Sequence, residues 1–103
     1  MTKKKASRRL VLDGSELSDD DRLPELVSGF RNSLAESGTS PVILNLSGLR
    51  AIYSKGIAVI LGVFKDCKAA NRDFSITVSS DDTLNLFRML KLDKVIEIRM
   101  VQQ

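Results

Sequence analysis

Histidine is absent from this sequence of 103 residues, and cysteine occurs only once. Without histidine the chain lacks the usual general base, the Ser-His-Asp arrangement and the commonest side-chain ligand for metal ions. The lone cysteine, Cys67, can form neither a thiolate cluster nor an internal disulfide, and its place in a helical apolar pattern predicts a buried thiol. The six glycines are scattered and build no GxGxxG or Walker-type loop. We therefore expect a binding module rather than an enzyme, with no catalytic residue, metal site or cofactor.

Long apolar runs are also missing. No stretch reaches the roughly 18 residues that span a bilayer, and the basic start of the chain is not followed by an apolar segment. We expect a cytoplasmic protein without membrane insertion, and a single cysteine fits a reducing compartment.

Positive charge is concentrated at the amino terminus. The formal net charge is +3, yet after the first five cations the chain holds eleven basic and thirteen acidic residues. These five cations are Lys3, Lys4, Lys5, Arg8 and Arg9. Because the remaining chain is not basic, we expect no nucleic-acid partner. Residues 1–8 are predicted to be a basic flexible tail, and residues 9–103 to be a single domain.

The apolar spacing alternates between strand and helix periods. Strands are predicted at residues 10–12, 42–46, 74–78 and 95–98, and helices near residues 23–37, 57–70 and 81–90. The nearly all-apolar segment at 42–46 predicts a strand covered on both faces. Asp81 and Asp82 are expected to cap the third helix, which carries Leu84, Phe87 and Leu90 on one face. The pattern predicts an α/β fold, with a small single-layer sheet of about four mostly parallel strands and helices packed on it.

The most informative stretch spans residues 41–61, where a strand ends at Ser47 and a short link leads into a helix. The link carries Ser54, whose hydroxyl is predicted to lie in the first turn of that helix. Free backbone N–H groups and the helix dipole favour anions at this position, and a phosphate adds roughly −1.5 to −2 charge at pH 7. Ser54 is therefore interpreted either as a phosphorylation switch or as a plain helix cap, and the two roles are compatible.

The same stretch is similar to a known family, the STAS domain of anti-sigma-factor antagonists and of the cytoplasmic tails of sulfate transporters. In that family a V-x-L-D-L-S/E strand is followed by F-I-D-S-S-G-L-x-V-L-L, and here the chain reads VILNLSGL and then AIYSKGIAVIL. Residues 83–98, TLNLFRMLKLDKVIEI, resemble the family's V-x-R-L-L-E-L-T-G-L-D-K-V-F-E-I ending. The segment Leu23-Pro24-Glu25-Leu26 resembles the start of the first helix. The resemblance covers roughly residues 10–98, and the order and spacing of its motifs are fairly specific.

The resemblance implies a function and a site. In the family a serine kinase that is also the anti-sigma factor phosphorylates the serine that falls on Ser54, and only the unmodified form binds it. The implied partner is a kinase of the histidine-kinase-like ATPase fold, with a PP2C-type phosphatase as a further partner. The predicted partner-binding surface consists of Tyr53, Ser54, Lys55, Gly56 and Ile57.

Three features depart from the family pattern. Tyr53 stands in place of the aspartate, Lys55 in place of the second serine, and the first strand or hairpin is abbreviated. Tyr53 removes a carboxylate beside the hydroxyl, whereas Lys55 brings a cation that can pair with a phosphate or with an acidic partner residue.

Two other functions stay open at this stage. One is a STAS scaffold or weak homodimer without phospho-switching, in which Ser79 and Ser80 serve either as further phosphosites or as loop and cap residues. The other is binding of a small anion, such as a nucleotide or a lipid, at the helix start near Ser54 and the basic tail.

Overall fold

A computed structural model describes residues 9–49 and 51–101 of the chain. The predicted tail, residues 1–8, lies outside the described residues. The four strands are β1 (Leu10–Asp13), β2 (Val42–Asn45), β3 (Phe74–Val78) and β4 (Glu97–Met100). The three α-helices are α1 (Leu23–Glu36), α2 (Ser54–Ala69) and α3 (Asp81–Met89), and short 3-10 helices span Asp20–Arg22 and Leu92–Lys94.

The strands form one sheet in the order β1-β2-β3-β4, and every neighbouring pair is parallel. Their register aligns Leu12, Leu44, Ile76 and Ile98 in one row across the sheet. This arrangement confirms the predicted α/β fold, and the sheet is wholly rather than mostly parallel.

Only one face of the sheet is buried. Leu44 and Ile76 are 0% exposed, whereas Ile43 is partly exposed and its neighbour Val11 is 57% exposed. The prediction that residues 42–46 are covered on both faces was therefore wrong. The prediction failed because the strands pair in chain order. Right-handed crossovers between consecutive parallel strands then bring all the helices to the same side of the sheet.

Each helix contributes an apolar stripe to this core. Phe30 of α1, Ile60 and Val63 of α2 and Phe87 of α3 are buried there. Cys67 is also buried, as predicted, and burial raises the pKa of its thiol. Pro24 lies in the first turn of α1, where its missing N–H removes no hydrogen bond.

The end of the chain differs from the prediction in two places. The hydroxyl of Ser80, rather than Asp81 or Asp82, caps α3 by accepting hydrogen bonds from the amides of Asp82 and Thr83 at 3.1 and 3.4 Å. Strand β4 begins at Glu97, two residues later than expected, because residues 92–94 form a 3-10 turn.

Arg72 ties the end of α1 to the start of β3. Its guanidinium donates to the carbonyls of Ser40 (2.9 Å) and Leu34 (2.8 Å) and to the hydroxyl of Ser37 (2.6 Å), and the residue is only 8% exposed. These oxygens include groups at the negative end of α1, so the buried cation is compensated by the helix terminus rather than by a carboxylate.

Replacing Arg72 with alanine should lower the free energy of unfolding by about 2–4 kcal/mol, because the carbonyls that it binds lose a charged donor inside the protein. Urea denaturation monitored by circular dichroism measures the change. The matched control is Arg31→Ala on the exposed face of α1, which should shift stability by less than about 0.5 kcal/mol. Equal midpoints for the two variants would contradict the proposed role of Arg72.

Candidate functional site

The carboxyl ends of all four strands meet at one edge of the sheet, as they must in a parallel sheet. We define the carboxyl edge as residues 14–19 after β1, residues 46–49 and 51–53 after β2 and residues 79–80 after β3. In open α/β sheets this is the edge at which functional groups usually gather.

A small polar network holds the loop after β2 against β3. The side-chain oxygen of Asn45 accepts hydrogen bonds from the amide of Ser47 (3.0 Å) and the hydroxyl of Thr77 (3.1 Å). The hydroxyl of Ser79 donates to the carbonyl of Ser47. This network was not predicted from the sequence, although an Asn two residues before a Ser-Gly pair is a typical signal for a turn closed by a side-chain hydrogen bond.

Tyr53 provides the N-cap of α2, with extended backbone angles of φ −118° and ψ 179°. Its carbonyl accepts the first helical hydrogen bond, from the amide of Ile57 at 3.0 Å. The tyrosine side chain makes no capping bond and is 59% exposed. Its ring therefore projects into solvent at the N-terminal end of α2, which we call the helix mouth.

Ser54 is the first residue of α2 and is exposed. Its hydroxyl takes part in no hydrogen bond within residues 9–49 and 51–101. The interpretation as a plain cap therefore has no hydrogen bond to support it, since the N-cap position belongs to Tyr53. The amides of the first helical turn lie beside this hydroxyl without intrahelical partners, and they favour an added negative charge.

Gly56 lies beneath this surface and fixes its position. A Cβ atom at Gly56 would stand 2.6 Å from the carbonyl oxygen of Leu17 and 3.0 Å from the side chain of Ile52. Only a residue without a side chain allows α2 to approach the β1–α1 loop this closely. Ile57 follows, is partly buried and packs against the core.

Charge on the carboxyl edge is mostly negative. Exposed acids there or in the adjoining helical turns are Asp13, Glu16, Asp19, Asp20, Asp21, Asp81 and Asp82. Glu16 pairs with Arg22 at 3.3 Å, whereas exposed Lys55 forms no ion pair with any described residue. Lys55 immediately follows Ser54 and is therefore the cation closest to it in the sequence. Among the residues described, no group of three His, Cys, Asp or Glu side chains is placed to hold a metal ion.

The two other serines considered above have structural partners. Ser80 caps α3, and Ser79 is partly buried in the network with Ser47. Both therefore have the loop and cap contacts that were one of their two predicted roles.

An apolar groove between α1 and α2 begins one turn after Ser54. Its cavity measures about 280 Å³ and is lined by Val27, Phe30, Leu34, Val59 and Val63, with Arg31 and Asp66 also on its walls. The groove extends the exposed surface at the helix mouth along α2.

Comparison with known protein families matches the STAS domain model to residues 3–103. The chain belongs to the STAS domain family. No solved structure matches the chain significantly. The family confirms the resemblance drawn from the motifs, and STAS domains are generally regulatory or binding modules rather than enzymes.

Within this STAS domain, the departures from the family pattern at Tyr53 and Lys55 are both exposed and flank an exposed Ser54. The serine hydroxyl of the family pattern is present at the N-terminal end of α2, while the residues on either side of it differ from that pattern. In the described part of the STAS domain, no helix combines the length and apolar character needed to cross a bilayer.

Gly56→Ala should destabilise the STAS domain by about 1–3 kcal/mol, because the added Cβ forces the Leu17 carbonyl and the helix mouth apart. Thermal unfolding measures the effect. The matched control is Gly62→Ala in the same helix, where a Cβ has no neighbour within 4 Å; this variant should gain about 0.5–1 kcal/mol from helix propensity. A stable Gly56→Ala domain would show that the close approach does not hold the site.

Proposed function

We propose that this STAS domain is an anti-sigma-factor antagonist in a phosphorylation-controlled partner switch. Its partner is a serine kinase of the histidine-kinase-like ATPase fold that also acts as the anti-sigma factor. The partner binds the surface formed by Tyr53, Ser54 and Lys55 above Gly56 and Ile57 when Ser54 carries no phosphate. A PP2C-type phosphatase restores the unmodified form.

The observation that carries this proposal is the exposed hydroxyl of Ser54 at the first position of α2. A kinase can reach it without unfolding the domain, because it is neither buried nor engaged in a hydrogen bond with a described residue. Gly56, two residues after Ser54, lies close to the carbonyl of Leu17, and this close approach fixes the position of the N-terminal end of α2.

The chemical step is phosphoryl transfer. The hydroxyl oxygen of Ser54 attacks the γ-phosphorus of ATP in the kinase, the bond to the β–γ bridging oxygen breaks, and ADP leaves with the proton passed to a base in the kinase. The product carries roughly −1.5 to −2 charge on a surface that docks to the partner. Burying that charge in a contact without a matching cation costs several kcal/mol, which is enough to dissociate the complex.

Tyr53 and Lys55 each add an attractive contact to the unmodified surface. The exposed Tyr53 ring offers a rigid aromatic contact of the kind that often dominates protein interfaces. Lys55 offers a cation to an acidic residue of the partner, and after phosphorylation the same ammonium group can turn to the phosphate on Ser54. Phosphorylation thus adds a repulsive negative charge to the docking surface and also removes the ammonium group of Lys55 from its attractive contact with the partner.

Ser54→Asp should abolish capture of the kinase partner in a pull-down, whereas Ser54→Ala should retain it. The loss corresponds to about 2–5 kcal/mol of binding free energy, because an unpaired carboxylate enters a desolvated contact. The control for an added charge elsewhere is Ser28→Asp on the exposed face of α1, which should bind normally. Equal binding by the alanine and aspartate variants at Ser54 would reject the switch.

The alternative proposal is a STAS scaffold or homo-oligomeric signalling component that does not switch. It is favoured by the two edge strands, since β1 and β4 each pair with a single described strand and leave one edge open. Sedimentation of the purified chain separates the two functions. We expect a monomer, and a stable oligomer whose mass is unchanged by Ser54→Asp would favour the scaffold.

A further inference from the structure

The turn between α3 and β4 exposes an unusual amount of apolar surface. We define the α3–β4 corner as residues 88–95. Met89 is 77% exposed, Val95 is 61% exposed and Leu90 is 45% exposed. These are half of the six large hydrophobic side chains that are exposed within the described residues, yet they lie within seven positions of the chain. Such a cluster indicates a surface that meets something other than water.

Cations are interleaved with these apolar side chains. Arg88, Lys91 and Lys94 are all exposed, and none of them forms an ion pair with a residue that the structure describes. The one acid in the corner is Asp93. The corner therefore combines three exposed apolar side chains with a net charge of +2, from three cations and one acid.

Lys91 adopts φ 61° and ψ 22°, a left-handed conformation that a glycine takes without strain and a lysine does not. The fold thus holds a cation at a position where the backbone favours glycine, which a purely structural turn does not explain.

The corner lies at the edge of the sheet opposite to Ser54. It leads directly into the start of β4, and in a parallel sheet the start of β1 lies at that same edge. Arg9 is exposed and immediately precedes β1 at that edge. The acids exposed in the segments that lead into the strands are Glu36, Asp73 and Asp93, so the excess of positive charge at this edge belongs to the corner itself, whereas the carboxyl edge is mostly acidic.

We propose that the α3–β4 corner is a docking surface for an anionic lipid bilayer. Charge complementarity points to this occupant, because the cations attract acidic headgroups while Met89 and Val95 enter the interface between headgroups and acyl chains. Docking in this orientation leaves Ser54 facing away from the membrane.

The direct test is sedimentation of the full chain with vesicles of phosphatidylcholine, with and without about one-third phosphatidylglycerol, at about 0.15 M salt. The protein should sediment with the anionic vesicles only. Lys91→Gly should weaken binding by about fivefold, the effect of one cation at an anionic surface, while its Tm stays equal or rises because the left-handed strain is relieved. The matched control, Lys65→Gln on α2, removes an exposed cation elsewhere and should bind at least three times more tightly than Lys91→Gly.

A second pair of variants tests the apolar contribution. Met89→Ser should weaken binding to the anionic vesicles by several-fold, whereas Val11→Ser on the uncovered sheet face should leave it unchanged. The proposal is overturned if the protein ignores anionic vesicles, or if Lys91→Gly and Met89→Ser bind like the parent chain. It is also overturned if the chain binds polyglutamate but not vesicles, because that result assigns the corner to an acidic protein.

Discussion

The structure depends on one constraint, which is that four consecutive strands pair in parallel and in sequence order. Each of the first three strands must be followed by a helix that returns the chain to the same starting edge, and these three helices lie on one face. The hydrophobic core therefore lies between that face and the helices, with Leu44 and Ile76 at its centre. The same constraint separates two kinds of loop, since those that follow strands meet at one edge and those that precede strands meet at the other.

Apolar spacing predicted the order of strands and helices well, because each element buries a regular stripe such as Phe30 or Ile60. It failed where burial depends on distant partners. Ile43 is apolar but faces the side that carries no described helix, a fact decided by the handedness of the crossovers rather than by the strand itself. The start of β4 was placed too early because Val95 and Ile96 have strand-like side chains while the backbone around them is still turning.

The sequence was sufficient to locate the candidate site, but it did not show which residues contact one another there. The motif around Ser54 identified the mouth of α2, and the structure places Tyr53 and Lys55 beside it as exposed neighbours. What fixes this mouth is the contact between Gly56 and the Leu17 carbonyl, which joins residues far apart in the chain. A single sequence shows that a glycine is present, yet it does not show which backbone atom would collide with a side chain there. The hydrogen bond between Asn45 and Thr77 also joins residues far apart in the chain, although the local turn between Asn45 and Ser47 has a recognisable sequence signal.

The two surfaces of this STAS domain can act independently for an electrostatic reason. The strands that separate the carboxyl edge from the α3–β4 corner are four or five residues long, which corresponds to about 13–17 Å of sheet. The Debye length at physiological salt is about 8 Å, so a phosphate on Ser54 is largely screened before its field reaches Lys91. In the proposed switch the phosphate on Ser54 therefore acts at its own edge, and the proposed docking of the corner leaves the helix mouth in position for the proposed partner.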